Sequence, residues 1–331
     1  MSGYRYTFKK FLKDWMLIFG MIAGASIYLI YHSIPALHSA GPVLEKVAKT
    51  VQPCLLFSML FLTFCKIEPK ELKPRKWQAW LLLIQGLSFI AVALLLHFFP
   101  GIPHKIGLEA FMLCMICPTA TACAVVTGKL GGDMAGVVTY TIMINLLVAV
   151  LVPAFVPLIH PMEGLTFMSA FMRILAKVFP LLIMPCVTAW LIRYFLPRAH
   201  KWLLSYTNLS FYIWAVSLTL AILMSTRAIV KSDQGAGILA DIAVASLISC
   251  AIQFWAGKKA GTPEGNRITA GQSLGQKNTV FGIWLGYTFL DPIVSIAGGF
   301  YSLWHNCYNS WQLYRTRKAR EAASLKSISS K

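Results

Sequence analysis

Polar residues that could bind an ion or a small solute interrupt an otherwise apolar part of the chain at GQSLGQKNTVFG, residues 271–282. Gln272 and Gln276 are four residues apart and would share one face of a helix, and Lys277 and Asn278 follow directly. A lysine at the centre of a membrane costs about 2.5–3.5 kcal/mol on insertion scales, so it usually faces a cavity or a partner. The alternative is a lysine that snorkels to the membrane surface.

A second stretch, CPTATACAVVTGK at residues 117–129, has a related composition. Pro118 lacks an amide hydrogen and therefore frees the carbonyl one turn earlier in a helix. Thr119, Thr121 and Cys123 add small polar groups. A proline kink packed by small residues would explain this stretch taken alone. The similar interruption at the lysine-containing stretch favours a binding site.

Four further polar residues lie singly in apolar runs. Gln85 lies in LLLIQGLSF, Thr141 and Asn145 lie four apart in TYTIMINLL, and His305 lies in the last apolar run. Interhelical hydrogen bonding, worth about 0.6 kcal/mol on average, is the competing explanation for the first three. His305 is either a proton relay or a hydrogen-bonded packing residue. The predicted substrate- and ion-binding residues are Gln85, Thr119, Thr121, Cys123, Thr141, Asn145, Gln272, Gln276, Lys277 and Asn278.

Helices that cross a membrane must position these residues. Of the 331 residues, 57% are hydrophobic and 13% charged, against about 25% charged in average soluble domains. The apolar runs approach about 20 residues, which is the length that spans the hydrocarbon core. The net charge of +18 comes from basic residues spread over many loops, so we do not expect a nucleic-acid partner. The eight cysteines lie mostly in apolar runs and are interpreted as packing residues.

We predict ten transmembrane spans in a single polytopic domain. They cover residues 14–34, 43–65, 77–99, 106–128, 134–159, 168–195, 202–225, 236–256, 267–289 and 292–314. The fourth and ninth spans contain the two polar stretches and are predicted to be interrupted. A cytoplasmic N-terminus places most of the 30 basic residues on the inner side, as the positive-inside rule requires. Residues 315–331 then form a basic cytoplasmic tail.

Interruptions in spans four and nine predict two halves of five helices each. Because five is odd, the second half enters the membrane from the opposite side, which makes an inverted repeat. Transporters with inverted repeats place their sites at matching interrupted helices, because freed backbone groups are tolerated there only against protein or water. The predicted fold is therefore an all-α membrane protein in which the discontinuous fourth and ninth helices cross at one central site.

The chain resembles the bile acid:sodium symporter family, a set of ten-helix transporters of organic anions, over roughly residues 14–314. LLFSMLFLTF is similar to the end of that family's second helix, and CPTATACAVVTGKLGGDMAGVVTYT to its fourth helix, the following loop and its fifth helix. GQSLGQKNTVFG falls where the family has its glutamate-bearing ninth helix. The resemblance implies two sodium sites behind the helix crossing, and an organic-anion cavity between a panel domain and a core domain.

Several positions keep the residue type that the resemblance implies. The third-helix glutamine is present as Gln85, and the glutamine of the ninth-helix motif is present as Gln276. The fifth-helix hydroxyl positions correspond to Thr141 and Asn145, which still carry oxygen atoms.

Other positions depart from the family pattern and argue against its sodium chemistry. The fourth-helix Ser-Asn pair corresponds to Cys123 and Ala124, the glutamate shared by both sodium sites to Gln272, and the ninth-helix asparagine to Lys277. A hard cation prefers oxygen ligands and usually a carboxylate. Two like unit charges 4 Å apart repel by about 4 kcal/mol at an effective dielectric constant of 20, which would lower sodium affinity roughly a thousandfold.

We hypothesise that the ammonium of Lys277 takes the place of the bound sodium ion. It would tie the two interrupted helices together by donating to the carbonyls freed at Pro118 and Gly275. Two other roles remain open: the lysine could carry a proton in place of sodium, or it could attract the anionic substrate directly.

The sequence thus predicts a secondary transporter of a small organic anion in a bacterial inner membrane, with both termini cytoplasmic, that is sodium-independent or proton-coupled. The alternatives are a sodium-coupled symporter of organic anions and a membrane sensor that binds without transporting. The basic tail is either solvated or binds a partner or anionic lipid. We expect no enzyme, because HExxH and GxxxxGK are absent. We also expect no metal site, no cofactor except a doubtful sodium ion, and no obligate protein partner.

Overall fold

All regular secondary structure in the described part of the chain is helical. The computed structural model describes residues 16–66, 68–206, 209–231 and 235–329. Parts of three predictions lie outside these residues: 14–15 of the first predicted span, 207–208 of the seventh, and 330–331 of the tail. The helices are α1 Met16–Ser33, α2 Gly41–Cys65, α3 Lys76–Phe98, α4 Lys105–Ile116, α5 Cys123–Leu130, α6 Met134–Ile159, α7 Phe167–Phe195, α8 Pro197–Ser205, α9 Leu209–Lys231, α10 Ala236–Gly261, α11 Arg267–Gly275, α12 Thr279–Phe289 and α13 Ile296–Ser329. The all-α prediction is confirmed.

Five helical segments within the described residues are long and apolar enough to cross a membrane. They are Pro35–Cys65, Lys76–Phe98, Met134–Ile159, Leu209–Lys231 and Ala236–Glu264. A sixth is obtained if Phe167–Leu182 and Met184–Phe195, which are bent by 40°, count as one span. Ile18–Ser33 and Thr279–Phe289 are apolar but shorter. These segments fit a multi-pass membrane protein.

Two predicted boundaries differ from the helices. The predicted span 202–225 begins too early, because Pro197–Ser205 forms a separate short helix and the long helix covers Leu209–Lys231. Pro197 occupies the first turn of the short helix, where its fixed φ and missing N–H are well tolerated. The last helix continues past residue 314 to Ser329, because RTRKAREAASLKSIS contains many strong helix formers and neither glycine nor proline.

The long helices form two groups according to their packing. In the four-helix group, α9 packs against α1 and α2, and α2 packs against α7. In the eight-helix group, which comprises α3–α6 and α10–α13, α10 packs against α4, α11 and α13, and α3 packs against α4 and α6. The two groups are joined by contacts of α6 with α7, which are among the most extensive in the described residues, and by smaller contacts of α12 with α2 and α9. The two interrupted segments both lie in the eight-helix group.

The loop between α5 and α6 is fixed to two neighbouring helices. Asp133 caps α6 by accepting a hydrogen bond from Gly136 N at 3.2 Å. Its carboxylate also pairs with Arg75 Nη2 at 2.8 Å, and its own amide donates to Thr269 Oγ1 on α11 at 2.9 Å. These contacts hold α5 and α11 in a fixed relation on one side of the interrupted segments.

Candidate ion and substrate site at the two helix breaks

Two helices are interrupted at the places where the sequence predicted interruptions. The first break, residues 117–122, separates α4 from α5, and the second, residues 276–278, separates α11 from α12. Cys117 has extended ψ of 132°, because a residue before proline is driven out of the helical region. Gln276 is also extended, with φ −92° and ψ 99°. We call the two broken segments together the junction.

Main-chain hydrogen bonds join the two breaks to each other. Asn278 N donates to Pro118 O at 2.8 Å, and Ala120 N donates to Gln276 O at 2.8 Å. The two residues that lie between these bonds, one on each segment, form an isolated antiparallel bridge. Backbone groups that the helices release are therefore satisfied by the opposite break.

Side chains satisfy other carbonyls that the breaks release. Cys114 O, one turn before Pro118, accepts a hydrogen bond from Gln253 Nε2 at 3.3 Å. Gly275 O accepts from Tyr301 OH at 2.8 Å. Irregular backbone at membrane depth is tolerated only where protein or water meets its polar groups, and the junction meets that condition with groups from α10 and α13.

Lys277 is buried at the centre of the junction, with 1% of its surface exposed. Its Nζ donates to Gln85 Oε1 at 2.8 Å, and the same oxygen accepts from Tyr140 OH at 3.0 Å. Gln85 Nε2 donates to Ile116 O at 3.2 Å and to Cys117 O at 2.9 Å. Gln85 therefore uses both ends of its amide to connect α3 with α4, α6 and the lysine.

The acceptor of the lysine differs from the one that we expected. Cys114 O, the carbonyl that Pro118 frees, is occupied by Gln253 Nε2. Gly275 O is occupied by Tyr301 OH, and the ammonium lies on Gln85 instead. The prediction that the ammonium ties the helices together through those two carbonyls is therefore wrong. The main chain makes that tie, which leaves the lysine charge available for another role.

The charge of Lys277 has no adjacent counter-ion in the described part of the chain. No carboxylate of the described residues lies within 4.0 Å of its Nζ. The thiols of Cys114, Cys117 and Cys123 lie within electrostatic range, and the hydrogen-bonded acceptor is a neutral amide. An ammonium offers three donors, and a buried charge without a partner is costly. The junction therefore provides a suitable electrostatic setting for an anion.

Three polar side chains at the end of α11 and in the following break carry buried oxygen atoms that have no partner among the described residues. Gln272 Nε2 donates to Asn309 Oδ1 at 3.0 Å. Gln272 Oε1, Gln276 Oε1 and Ser273 Oγ are buried and have no hydrogen-bond partner among the described residues. Buried polar atoms are normally satisfied by protein or ordered water. These oxygens therefore suit water or a small cation beside the junction.

Thr119 and Thr121 have different surroundings. Thr119 is 1% exposed, and its Oγ1 donates to Ser273 O at 2.9 Å, which adds a side-chain bond to the junction. Thr121 is half-buried and precedes α5, whose N-cap, Ala122, makes no side-chain capping bond. The first amides of a helix carry a partial positive charge. Cys123 N, the first of these amides, donates to Ala120 O at 3.0 Å, so the start of α5 contributes its partial positive charge near the lysine segment.

Cys123 and Asn278 begin the second halves of the interrupted helices. Cys123 is fully buried, and its Sγ lies 3.9 Å from Thr127 Oγ1. Asn278 Oδ1 caps α12 by accepting from Phe281 N at 3.2 Å. Both side chains shape the local helix start.

No described contact brings Thr141 or Asn145 to the lysine. Thr141 Oγ1 donates to Val137 O of its own helix at 2.9 Å. Asn145 Nδ2 donates to Leu182 O at 3.4 Å, next to the bend in α7. The contacts of Asn145 thus lie where the two helix groups meet at α6 and α7.

Sequence reasoning missed four residues that complete the network: Tyr140, Gln253, Tyr301 and Asn309. Tyr140 precedes the predicted Thr141, and one position rotates a side chain by about 100° around a helix. Asn309 lies among other polar residues in HNCYNSWQ, whereas Gln253 is a single polar residue in an apolar run. That signal marks a residue as unusual but does not say which neighbour it faces.

Comparison with known proteins does not assign this chain to a family. No protein-family model matches it, and no curated protein matches it significantly. The resemblance to the bile acid:sodium symporter family is therefore carried by the quoted sequence motifs alone and stays a prediction.

Proposed function

We propose that this protein is a secondary transporter that moves a small organic anion across a membrane by alternating access. The observation that carries the proposal is the burial of Lys277 in a junction made by two broken helices. Ionisable residues at membrane depth usually mark substrate or ion pathways, and matched discontinuous helices are typical of transporter binding sites. Both features occur at one place in this chain.

The proposed architecture has ten spans in an inverted five-plus-five repeat, in a bacterial inner membrane with both termini cytoplasmic. Six helical segments have the length and hydropathy of a span when the bent pair in α7 counts as one. In the proposal, α1, the pair α4–α5, the pair α11–α12 and the first part of α13 supply the other four. The broken pairs are then spans four and nine, and they are matching positions of the two halves.

We propose that Lys277 supplies the positive charge that a sodium ion supplies in relatives of the resembled family. The bond from its Nζ to Gln85 keeps the charge beside the junction. A second cation at this place would meet the repulsion of about 4 kcal/mol expected at 4 Å. Transport is then either independent of a coupling ion or coupled to a proton carried by the lysine.

The substrate of the proposed transporter is an anion because the junction offers only positive or neutral partners for it. Lys277 has no carboxylate beside it among the described residues, and the start of α5, which has no side-chain cap, adds the partial positive charge of a helix N-terminus. Half-helix N-termini that face anionic substrate groups are a recurrent feature of transporters. Movement of the four-helix group against the eight-helix group would expose this place alternately to the two sides.

One observation favours sodium-coupled symport as a second candidate. Gln272 Oε1, Gln276 Oε1 and Ser273 Oγ are buried oxygens without a protein partner, and oxygen atoms are the ligands that hard cations prefer. The missing carboxylate weakens this candidate, because sodium sites gain affinity from negative charge.

Uptake into proteoliposomes tests the proposal. Labelled small carboxylates and sulfonates would be offered with a sodium gradient, with a proton gradient and with neither. We expect saturable uptake that does not require sodium and that Lys277→Asn alters in rate or ion dependence. Saturable uptake driven only by sodium would establish the second candidate. Binding without uptake would identify a sensor, and a Lys277→Asn variant that behaves as wild type would remove the lysine from the mechanism.

A further inference from the structure

A charged cluster lies at the end of the helix bundle where α2 begins and α9 and α12 end. Arg227 on α9 forms an ion pair with Glu45 on α2, whose other carboxylate oxygen lies 2.7 Å from Lys49 Nζ. Arg227 Nη1 also donates to Tyr287 OH on α12 at 3.0 Å. The Arg227 side chain is only 19% exposed. The guanidinium is thus held on two sides by groups of different charge.

The two partners of Arg227 belong to different helix groups. Glu45 lies in the four-helix group, as Arg227 does, whereas Tyr287 lies in the eight-helix group. Lys49 adds a second contact across the same boundary, with its Nζ 5.9 Å from the centre of the Tyr287 ring. At this end of the bundle, therefore, basic residues of the four-helix group reach α12 at two places. Arg227 and Lys49 reach the phenol of Tyr287, and Lys177 on α7 reaches the ring of Phe289, whose centre lies 5.6 Å from its Nζ.

A small cavity lies between the groups beside this cluster. Residues that line it include Ala48, Gln52, Met224 and Trp284, and its volume is about 20 Å³, room for a single water molecule. Gln52 is 4% exposed, and its Oε1 has no partner among the described residues. The cleft between the groups is therefore narrow here and holds a buried polar atom that would be hydrated if the cleft opened.

We propose that the hydrogen bond from Arg227 to Tyr287 is a latch that closes this end of the cleft between the two helix groups. The inference rests on the proposed function, because a latch matters only if the groups separate during transport. Glu45 moves with Arg227 and keeps its charge compensated in both states. Opening the latch therefore breaks a bond to a neutral phenol and leaves no charge without its partner, so the step is readily reversible.

Cysteine labelling of the purified protein in detergent tests the latch without any substrate. The exposed cysteines are first removed with Cys54→Ser and Cys307→Ser, and Ala48→Cys, at a position that is 5% exposed, reports opening of the cavity to a polar maleimide. Tyr287→Phe removes only the phenol oxygen. We expect it to speed labelling about tenfold, which corresponds to about 1.4 kcal/mol. Tyr308→Phe is the matched control, because its hydroxyl also accepts from a cation, Lys258 Nζ at 2.7 Å, but both residues lie within the eight-helix group.

A second variant tests the same contact from its other partner. Arg227→Lys keeps a positive charge beside Glu45 but loses the forked guanidinium that reaches Glu45 and the Tyr287 hydroxyl together, so it should speed labelling at Ala48→Cys as Tyr287→Phe does. Labelling rates that neither variant changes overturn the latch, whatever the uptake assays show. Faster labelling in Tyr287→Phe together with absent uptake leaves the latch standing and removes the transport proposal.

Discussion

Gln85 is predicted to be more important for stability than the lysine that it binds. Gln85→Leu would remove the acceptor of Lys277 and Tyr140 and the donor to Ile116 O and Cys117 O. Lys277→Met would remove the charge itself and leave Gln85 Oε1 bonded to Tyr140 OH. The first change strands several buried groups, whereas the second strands none of them.

The magnitudes follow from the bonds that each change removes. Three neutral hydrogen bonds at about 0.6 kcal/mol each come to about 2 kcal/mol, and leaving the ammonium buried without its acceptor adds about 3 kcal/mol. We therefore expect Gln85→Leu to lower the free energy of unfolding by about 5 kcal/mol. Lys277→Met should change it by less than about 1 kcal/mol. The double variant should recover about 3 kcal/mol of the loss in Gln85→Leu.

Equilibrium unfolding in mixed detergent micelles measures this double-mutant cycle. The matched control is Gln78→Leu, which also removes a fully buried glutamine from α3 and its bond to Gly136 O but does not contact the lysine. Its effect should add to that of Lys277→Met. If the two effects at Gln85 and Lys277 also add, or if Lys277→Met is the more damaging change, the charge is not stabilised by Gln85 and the reasoning fails.

Two further predictions concern the second break. Combining Lys277→Asn with Gln272→Glu should make the stability of the protein depend on sodium, because the variant regains a carboxylate and loses the competing positive charge. The expected result is a higher melting temperature in sodium chloride than in choline chloride. Equal melting temperatures would contradict the charge argument. Gly275→Ala should lower the free energy of unfolding by about 1–3 kcal/mol through overpacking, because a Cβ there would collide with the ring of Phe254. Gly101→Ala, with open space around it, is the control, and equal losses in the two variants would show that packing at residue 275 is not the cause.

The helices and their two interruptions could be predicted because their signals are local. Apolar runs of spanning length gave the long helices, and Pro118 marked the first break through its missing amide hydrogen. The polar residues around Lys277 marked the second. The start of the seventh span was misplaced because residues 197–205 form a helix of their own, and helix propensity does not show where one helix gives way to the next.

The partners within the site could not be predicted, because they depend on how helices far apart in sequence turn towards each other. Lys277 meets Gln85, 192 residues away, and Tyr301 reaches Gly275 O from the last helix. Local patterns identified Gln85 and Lys277 as unusual residues. They did not show that the two would meet, or that side chains of α10 and α13 would occupy the carbonyls assigned to the ammonium.

The closure of the junction by backbone atoms has a consequence for how such a protein can diversify. Every amino acid supplies a main-chain carbonyl, and every one except proline also supplies an amide hydrogen. Point mutations at positions 119 and 277 therefore leave intact the bonds of Asn278 with Pro118 and of Ala120 with Gln276. The scaffold tolerates new chemistry at its centre without first being rebuilt. A descendant lineage, or a library made in the laboratory, can therefore change the side chains at the centre of the junction one codon at a time.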